Sequence, residues 1–472
     1  MKLHRRQFVI GKSSFYPGDD WQSYQLTNHY WLSYCRDLRI IRATDRDGVE
    51  WCLLGMAIET EVNSAPERLI AQRSTEEVIA GYSAWAGRWL LIGQKEIHLD
   101  ANGLLGCFYG ETSGEIWLSS SPTLLAEIMA TSDKDKRNLV YGRGISWYTP
   151  PYSGYLPIKR LLASQVINFT TGQISPRPLM PEIDLDRDYE TSLELITNAL
   201  VTALQNLATL KQPIWLGLTA GYDSRLMLTI AIAAKIEFTT FTRIAGRMSL
   251  ADFILPPKLA KECHVTHLYL QNKPPKEQEL RRNLVKQHSG NNVSEGDAEP
   301  FIMGVRDSLK GISFGGHGFA IASGFHTLRQ LPANYTSPQA GALQIAQLFD
   351  EPPQSSAVAG MTAWLTWVQQ HPQENLDWRD RFFLEQRQAG WLSSKEQVYD
   401  LSDLIRFPIL NAARIYSLLL SIPEAQRLDS LVQVAILKQL NCDLASYPFN
   451  PSQDSFDYWS KLKFKLRNRL RI

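Results

Sequence analysis

The fold is decided by the stretch Leu216-Gly217-Leu218-Thr219-Ala220-Gly221-Tyr222-Asp223-Ser224-Arg225. It overlaps Ile214–Leu218, a short apolar run typical of a buried strand, and leads into Arg225–Ala234, which has a helical pattern. The next run, Phe238–Thr242, is again typical of a strand, and Ala251–Lys261 and Thr266–Leu270 repeat the alternation of helix and strand. This order predicts a parallel sheet whose ligand crevice lies at the carboxyl ends of its strands.

The turn inside this stretch has the composition of an anion-binding loop. Its small residues let the backbone approach a ligand closely, and the helix that follows presents free N–H groups in its first turn. With the hydroxyls of Thr219 and Ser224, these groups would form a cradle for the pyrophosphate part of a nucleotide. Asp223 would hold Mg²⁺ against the phosphates. The alternative is a tight turn that only caps the helix.

An earlier part of the chain carries short strand-like runs separated by Gly, Asn and Ser. The runs are Trp51–Met56, Arg88–Ile92, Glu96–Leu99, Leu105–Tyr109, Glu115–Leu118 and Gln165–Phe169. They predict a layered, mostly antiparallel domain. The prolines at 176, 178 and 181 and the acidic residues after them predict an interdomain linker. Apolar residues spaced by three and four in Tyr189–Leu210 predict an amphipathic helix that opens a second domain.

The composition is that of a globular protein, with 44% hydrophobic and 21% charged residues. A net charge of +1 provides no global field to gather nucleic acid, so we expect no nucleic-acid partner. The five cysteines are scattered and form no CxxC pair, which argues against a disulfide framework and indicates a cytoplasmic location. Because no apolar run is long enough for a transmembrane segment and the start has no signal-peptide core, we expect no export.

The turn resembles the SGGxDS PP-loop of the asparagine synthetase family, with Thr219-Ala220-Gly221-Tyr222-Asp223-Ser224 at the matching positions. Segments before the turn are similar to the family's glutaminase-like domain. They are Gly87–Ile92, His98–Gly103, Phe108-Tyr109, Ile116–Ser121, Tyr152–Tyr155 and Gln165–Phe169. After the turn, Ser249–Asp252 is similar to the family's second βα unit. The likeness covers most of residues 50 to 450 in the family's order.

This resemblance implies an α+β N-terminal glutaminase-like domain of degenerate Ntn type at residues 1–180. It further implies an α/β PP-loop domain, of the adenine nucleotide α-hydrolase-like type, at residues 188–472 with a helical C-terminal portion. The implied cofactors are ATP and Mg²⁺. The residues expected to bind the cofactors are Leu216, Leu218, Thr219, Ala220, Gly221, Tyr222, Asp223, Ser224, Gly316 and His317.

The expected reaction follows from what the N-terminal domain lacks. A glutaminase of this family uses an N-terminal cysteine, whose thiol attacks glutamine while its own α-amine acts as the base. The sequence has Lys2 at that place, and about fifty residues precede the first good match, so we expect no glutamine hydrolysis. The arrangement resembles the family's β-lactam synthetases and lasso-peptide cyclases. It implies an ATP-dependent, AMP-forming ligase that adenylates a carboxylate for attack by an amine, acting on a small molecule or peptide and working with a carrier or other biosynthetic protein.

Two segments depart from the family's pattern. Phe319 and Ala320 stand where the family has acidic residues near the phosphates, and Val434 stands where the family has a phosphate-facing lysine. Because such charges stabilise the transition state, their loss favours a competing interpretation, a non-catalytic relative that binds a nucleotide or a partner. A glutamine-hydrolysing asparagine synthetase is the third possibility, and it conflicts with Lys2.

Three charged residues are candidates to compensate for these losses. Lys438 keeps a charge near Val434, and Arg225 is a candidate for the missing cation, so Asp223, Arg225 and Lys438 are the candidate catalytic residues. Glu295 is, with Asp223, a candidate metal ligand, or else it is only a charge at a helix N-terminus. His326 and the basic tail Lys461–Arg471 are weaker candidates for contact with a ligand or an anionic partner.

Overall fold

The computed structural model describes residues 3–27, 29–132, 134, 136, 146–244, 248–271, 275–290, 293–305, 307–322, 328–458, 460, 461 and 464, with only the backbone of Cys442. His326 and most of the basic tail lie outside the described residues. No helix in these ranges is long and apolar enough to span a bilayer.

The part of the chain before residue 177 forms two six-stranded sheets in which every recorded strand pair is antiparallel. Its strands are β1 (Phe8–Gly11), β2 (Trp21–Thr27), β3 (Tyr30–Cys35), β4 (Ile40–Thr44), β5 (Glu50–Glu59), β6 (Trp85–Gly93), β7 (Glu96–Leu99), β8 (Phe108–Thr112), β9 (Glu115–Ser119), β10 (Lys159–Arg160), β11 (Gln165–Asn168) and β12 (Ile174–Pro176). The strand orders are β10-β8-β9-β1-β3-β2 and β12-β11-β7-β6-β5-β4.

The two sheets pack face to face, with helices on the outer faces. One apolar cluster joins Phe8 and Leu32 of the first sheet to Leu54 and Leu90 of the second. The outer face of the second sheet packs against α1 (Pro66–Gln72) and α2 (Thr75–Gly81), and that of the first against α3 (Pro122–Ile128). The result is a helix, sheet, sheet, helix layering, which agrees with the layered antiparallel domain predicted from the strand-like runs.

The first forty residues are part of this sandwich and not an extension before it. β1 lies inside the first sheet, between β9 and β3, and all of its residues are buried. The sequence pattern missed β1 to β4. β1 is a short apolar run without alternation, and β2 and β4 are largely polar or half-exposed.

The proline-rich connection after β12 is packed and not free. Leu179, Met180 and Ile183 are buried in the largest apolar cluster of the protein. The side chain of Gln373 accepts from the Leu179 N–H at 2.9 Å and donates to the Met180 carbonyl at 2.9 Å. These contacts fix the connection against the C-terminal helices.

A five-stranded parallel sheet follows, and its order is β15-β14-β13-β16-β17. The strands are β13 (Ile214–Gly217), β14 (Thr239–Ile244), β15 (His267–Gln271), β16 (Gly311–Phe314) and β17 (Leu404–Phe407). Every recorded pair in this sheet is parallel, as the alternating helices and strands predict. The change from antiparallel to parallel pairing lies between β12 and β13.

Helices surround the parallel sheet and form most of the C-terminal part. They are α4 (Tyr189–Ala208), α5 (Tyr222–Ala233), α6 (Leu250–Glu262), α7 (Gln278–His288), α8 (Glu295–Ile302), α9 (Pro338–Leu348), α10 (Ser356–Gln370), α11 (Trp378–Phe382), α12 (Ser393–Asp400), α13 (Ala413–Leu420), α14 (Glu424–Arg427), α15 (Leu431–Leu440) and α16 (Cys442–Ser446). A π-helical stretch, Phe383–Leu392, joins α11 to α12. The amphipathic helix predicted at Tyr189–Leu210 is α4. The side chain of Asp188 caps its N-terminus by accepting from the Thr191 N–H.

A buried ion pair joins the antiparallel sandwich to the helices of the C-terminal part. Both terminal nitrogens of Arg88, on β6, donate to the carboxylate of Asp400, on α12, at 2.9 Å each. Breaking a buried pair of this kind by removing one partner leaves an uncompensated charge. The contact therefore holds the two parts of the chain in a fixed arrangement.

A buried histidine in the sandwich predicts a loss of stability in acid. His98, on β7, is 3% exposed, and burial lowers its pKa to about 3. The unfolded chain binds a proton on this residue near pH 6.5 and the folded chain does not, so stability falls as the pH drops below that value. Between pH 7 and pH 5 the free energy of unfolding should fall by about 2 kcal/mol less in His98→Gln than in wild type, because glutamine has no imidazole to protonate. Denaturant titrations at both pH values measure this difference. His29→Gln, at an exposed residue, is the control, and an equal acid loss in His98→Gln and wild type would contradict the prediction.

Candidate functional site

A cavity of about 420 Å³ lies at the carboxyl edge of the parallel sheet, where the sequence predicts a ligand crevice. Three turns meet there, one after each of β13, β16 and β17. The residues that line it are Gly217, Thr219, Gly221, Tyr222, Asp223, Ser224, Phe241, Ser313, Phe314, Gly315, Gly316, His317, Ala320, Arg406, Phe407, Pro408, Ser430 and Asn450.

The loop after β13 is shaped by hydrogen bonds between its own groups. The hydroxyls of Thr219 and Ser224 lie 2.8 Å apart. The Ser224 hydroxyl also accepts from the Thr219 N–H at 3.0 Å, and the Thr219 hydroxyl accepts from the Gly221 N–H at 3.2 Å. The hydroxyls expected to face a ligand therefore hold the loop in shape in this structure.

A carboxylate from the next helix also supports the loop. Asp252, in the first turn of α6, accepts from the Ala220 N–H at 2.8 Å. Its own position is fixed by Ser249, which caps α6 and donates to the other carboxylate oxygen at 2.9 Å. The segment Ser249–Asp252, which the sequence identified by its resemblance to a βα unit, therefore supports the loop.

Helix α5 presents its N-terminus to the cavity. Gly221 is its N-cap and provides no side chain to satisfy the first N–H groups of the helix. These groups have no partner within a helix, and together with the helix dipole they favour an anion. The N-terminus of α5 therefore faces the cavity together with Thr219 and Ser224, whose hydroxyls bond to each other.

Asp223 stands at the start of α5 in a partly dry environment. Burial raises the pKa of its carboxyl group, and a hydrogen bond from Gln433 Nε2 to Oδ1 at 3.1 Å opposes that shift. Gln433 lies on α15 and is 2% exposed. The amide therefore holds one oxygen of the Asp223 carboxylate in place.

A cation on β17 lines the opposite wall. Arg406 Nη2 lies 3.3 Å from Nδ1 of His317 and 2.9 Å from a carboxylate oxygen of Glu396. Glu396 is 1% exposed and the Arg406 guanidinium covers the ring of Tyr399 at 4.5 Å. Arg406 and His317 therefore lie side by side in the cavity lining.

The predicted binding residues divide into two groups. Thr219, Gly221, Tyr222, Asp223, Ser224, Gly316 and His317 line the cavity. Leu216, Leu218 and Ala220 are buried behind it in the largest apolar cluster. Alternate residues of a strand and its extension point to opposite faces, which is why these three side chains face the core.

Arg225 does not face the cavity, although the sequence makes it a candidate catalytic cation. Its side chain is fully buried, and burial lowers its pKa to about 10. Its guanidinium donates to backbone carbonyls of the loop, of α16 and of the segment that follows α16. Its position, three residues into α5, directs it away from the open end of the helix.

Lys438 and Glu295 also lie apart from the cavity lining. Lys438 is exposed on α15, beyond the turn that holds Gln433. Glu295 is at the start of α8, where its carboxylate accepts from Arg282 at 3.1 Å. The other members of its acidic group are also paired, Asp297 with Lys395 and Glu299 with Arg243. The described residues contain no group of three or more His, Cys, Asp or Glu side chains suited to hold a metal ion.

The two positions where the family has acidic residues differ in location. Phe319 is fully buried in the largest apolar cluster, whereas Ala320 is exposed and lines the cavity. A carboxylate at 320 would face the cavity, and one at 319 would be buried in the core. Val434, where the family's lysine would stand, is half-buried and does not line the cavity.

Three contributors to the site were not found from the sequence. Arg406, Gln433 and Asn450 lie on β17, on α15 and after α16, each about 180 residues or more from the loop along the chain. β17 itself lies within a region that the pattern predicts as helical. The apolar run that ends at Pro408 was the available signal for this strand, since a proline often follows the end of an element.

Comparisons with known proteins find distant likenesses only. No protein family and no curated protein sequence matches the chain. Among solved structures, the glutamine phosphoribosylpyrophosphate amidotransferase of B. subtilis, complexed with ADP and GMP, matches with 10% identity and a TM-score of 0.23, over 57% of this chain and 76% of that one. The glutamine-dependent NAD⁺ synthetase of Acinetobacter baumannii, in complex with ADP, matches with 11% identity and a TM-score of 0.21, over 59% of each chain. TM-scores this low carry no weight for function.

The close approach of Gly316 to Asp223 predicts unequal effects of two neighbouring substitutions. A Cβ added at Gly316 would lie 2.5 Å from the Cβ of Asp223, whereas one at Gly315 would have no neighbour nearer than 3.5 Å. We expect Gly316→Ala to lower the free energy of unfolding by about 1–3 kcal/mol through overpacking. Gly315→Ala is the matched control and should change it little. Denaturant titration measures both variants, and equal stability of the two would show that the turn after β16 does not press on Asp223.

Proposed function

We propose that the chain binds ATP with Mg²⁺ in the cavity at the carboxyl edge of the parallel sheet and adenylates a substrate carboxylate, which an amine then attacks. The observation that carries this proposal is the meeting of the open N-terminus of α5 with Asp223 and Arg406 in one cavity of about 420 Å³. A helix N-terminus favours phosphate, the carboxylate favours Mg²⁺, and the guanidinium favours a second anion.

The phosphates would lie against Gly221 and the first turn of α5, because the backbone N–H groups point there. The small side chains of the loop leave room for this approach. Phe241, which lies within β14 and is 4% exposed, offers an apolar surface in the same cavity. These features support a nucleotide as the ligand.

The residues present fit Mg²⁺ with one protein ligand. Asp223 contributes the carboxylate, and no other Asp or Glu lines the cavity among the described residues. Mg²⁺ is commonly bound by one or two carboxylates together with substrate phosphates and waters, so one carboxylate is compatible with binding. The ion would neutralise phosphate charge and so lower the barrier to attack on the α-phosphorus.

The proposed chemistry has two balanced steps. A carboxylate oxygen attacks the α-phosphorus of ATP, the bond to the bridging oxygen breaks, and pyrophosphate leaves. An amine then attacks the acyl carbon, AMP leaves, and the nitrogen loses a proton to give an amide. Arg406 is placed to hold the substrate carboxylate or the departing phosphate, His317 lies beside Arg406 in the cavity lining, and the proton lost by the amine passes to water.

The substrate class is inferred from the proposed reaction alone. A carboxylate and an amine are required, on one small molecule or peptide or on two. A carrier or another biosynthetic protein is the proposed partner, and the resemblance to β-lactam synthetases and lasso-peptide cyclases supports both proposals. The antiparallel sandwich would then be a degenerate glutaminase-like domain of Ntn type that serves as a scaffold.

A second candidate function is nucleotide binding without turnover. It is favoured by Ala320, which lines the cavity at a position where the family has an acidic residue. A site with one carboxylate and with Arg406 already paired to Glu396 has less charge to stabilise a transition state. Pyrophosphate release separates this candidate from the ligase.

The third possibility, glutamine hydrolysis, finds little support in the cysteines. Burial raises the pKa of the Cys52 and Cys107 thiols to about 12 and that of Cys263 to about 11. A thiol of this kind is a poor nucleophile near neutral pH because the thiolate is the reactive form. An amine carried by the substrate is therefore the proposed nitrogen source.

The role of Asp223 predicts a magnesium-dependent loss of binding. Asp223→Asn should weaken the affinity for ATP in the presence of Mg²⁺ by about tenfold or more, because the lining carboxylate is neutralised. The affinity for ATP without Mg²⁺ should not fall, since a negative charge near the phosphates has been removed. Asp186→Asn, at an exposed site in the connection before α4, is the matched control. Calorimetric titrations measure all three proteins, and equal loss with and without Mg²⁺ would reject Asp223 as the metal ligand.

The exposure of Ala320 predicts that a carboxylate there raises turnover. With candidate carboxylate substrates, Ala320→Glu should increase the rate of pyrophosphate release about tenfold, because a second acid would face the metal. Ala320→Gln is the control of equal size without charge. Pyrophosphate and AMP are quantified after incubation with ATP. Binding of ATP with no release in wild type or Ala320→Glu, for every carboxylate tried, would favour the nucleotide-binding candidate.

A further inference from the structure

The guanidinium of Arg225 binds four backbone carbonyls from two separate parts of the chain. Nη1 donates to the carbonyls of Tyr447 and Leu444 at 2.6 and 3.4 Å, and Nη2 donates to those of Pro448 and Ala220 at 2.9 and 3.1 Å. Ala220 belongs to the loop after β13, whereas the other three carbonyls follow more than 200 residues later. One fully buried side chain therefore ties the loop to the segment Leu444–Asn450.

Two aromatic contacts and a backbone hydrogen bond complete this tie. The Arg225 guanidinium lies 3.9 Å from the ring centre of Phe449, and Phe449 stacks on Tyr222 with centroids 4.1 Å apart and an interplanar angle of 12°. The Asn450 N–H donates to the Ala220 carbonyl at 3.2 Å. Phe449 thus contacts both the Arg225 guanidinium and the ring of Tyr222, the first residue of α5.

The stack places Asn450 at the mouth of the cavity. Asn450 is exposed and lines the cavity together with Gly221. A Cβ built on Gly221 would lie 3.6 Å from Asn450 Oδ1 and 3.9 Å from Nδ2, so the carboxamide lies beside the N-cap of α5. An amide N–H at this position can donate to an anion held by the helix N-terminus.

We propose that Asn450 is a nucleotide-binding residue that donates to the phosphate chain, and that Arg225 is the positioning residue that holds it there. This inference rests on the proposed nucleotide site and adds to it Asn450, a lining residue that lies outside the loop after β13. Arg225 acts through the segment and not by contact with the ligand. It replaces the catalytic role that the sequence suggested for this arginine.

The planar fork of arginine is required for this role. Its nitrogens reach carbonyls of both chain parts at once, and its face stacks on Phe449. A lysine carries one compact ammonium group, which cannot satisfy the same set of carbonyls. Arg225→Lys should therefore keep the charge and release the segment.

A double-mutant cycle distinguishes positioning from a purely structural role. Asn450→Ala should weaken the affinity for ATP in the presence of Mg²⁺ about tenfold, since a hydrogen bond to a charged group is lost. Its unfolding midpoint should fall only slightly, through the cost of alanine at a φ of 41° in this exposed position. Arg225→Lys should also weaken it about tenfold. The double variant should lose about tenfold and not about hundredfold, because Arg225 acts through the residue already removed. Arg414→Lys, in an ion pair with Glu61 away from the cavity, is the control.

Hydrogen exchange of the protein without nucleotide supplies an independent readout. In Arg225→Lys the backbone N–H of Asn450 should exchange faster than in wild type, whereas in Arg414→Lys it should not. Unchanged exchange, additive losses of affinity, or full affinity in Asn450→Ala would each overturn the inference. Asn450→Ala alters no buried side chain, so it decides the matter if Arg225→Lys folds poorly. If the wild-type protein binds no ATP, the proposed function itself is wrong. Faster exchange of the Asn450 N–H in Arg225→Lys would still show that Arg225 holds the segment Leu444–Asn450.

Discussion

Parallel pairing of β13 with β14 on one side and β16 on the other is the constraint on which the site depends. The pairing aligns Leu216 with Thr240 and Phe314, so β13 and β16 end within one residue of each other, while β14 continues to Ile244. Because parallel strands deliver their following turns to one edge, the loop at 219–221 and the turn at 315–317 are brought together from nearly a hundred residues apart. β17 continues the same register through Phe314 and Phe407 and adds Arg406 to the edge. The cavity is thus a consequence of strand order.

The cavity has few charged side chains, and backbone groups carry much of its polarity. Asp223 and Arg406 are its charged lining residues among those described, and each already has a protein partner, Gln433 and Glu396 respectively. Groups held in this way lose little entropy when a ligand arrives, which favours preorganised binding. The same pairing limits how strongly they can stabilise developing charge. The balance between these two effects separates a slow ligase from a nucleotide-binding protein.

Local patterns in the sequence were sufficient for much of the fold and for only part of the site. The bounds of β7 and the start of α4 agree with the predicted runs, because period-two alternation and the three-and-four spacing of apolar residues are local properties. β1 and β17 were missed because neither has the period-two alternation of β7. Phe8, Val9 and Ile10 of β1 form an unbroken apolar run, and β17 lies between helices. Arg225 was assigned to the ligand and Asn450 was not considered, since the direction of a side chain depends on tertiary packing that spacing does not specify.

The most direct test of the nucleotide site is hydrogen exchange of the wild-type protein with and without ATP and Mg²⁺. A second cavity, of about 710 Å³ beside α1 and the end of α4, lies on a different part of the protein and serves as an internal comparison. We predict slower exchange at residues 217–224, 313–317 and 447–450 when the nucleotide is present, and unchanged exchange at 57–68 and 205–210. Protection confined to the second cavity, or absent from the loop after β13, would contradict the account.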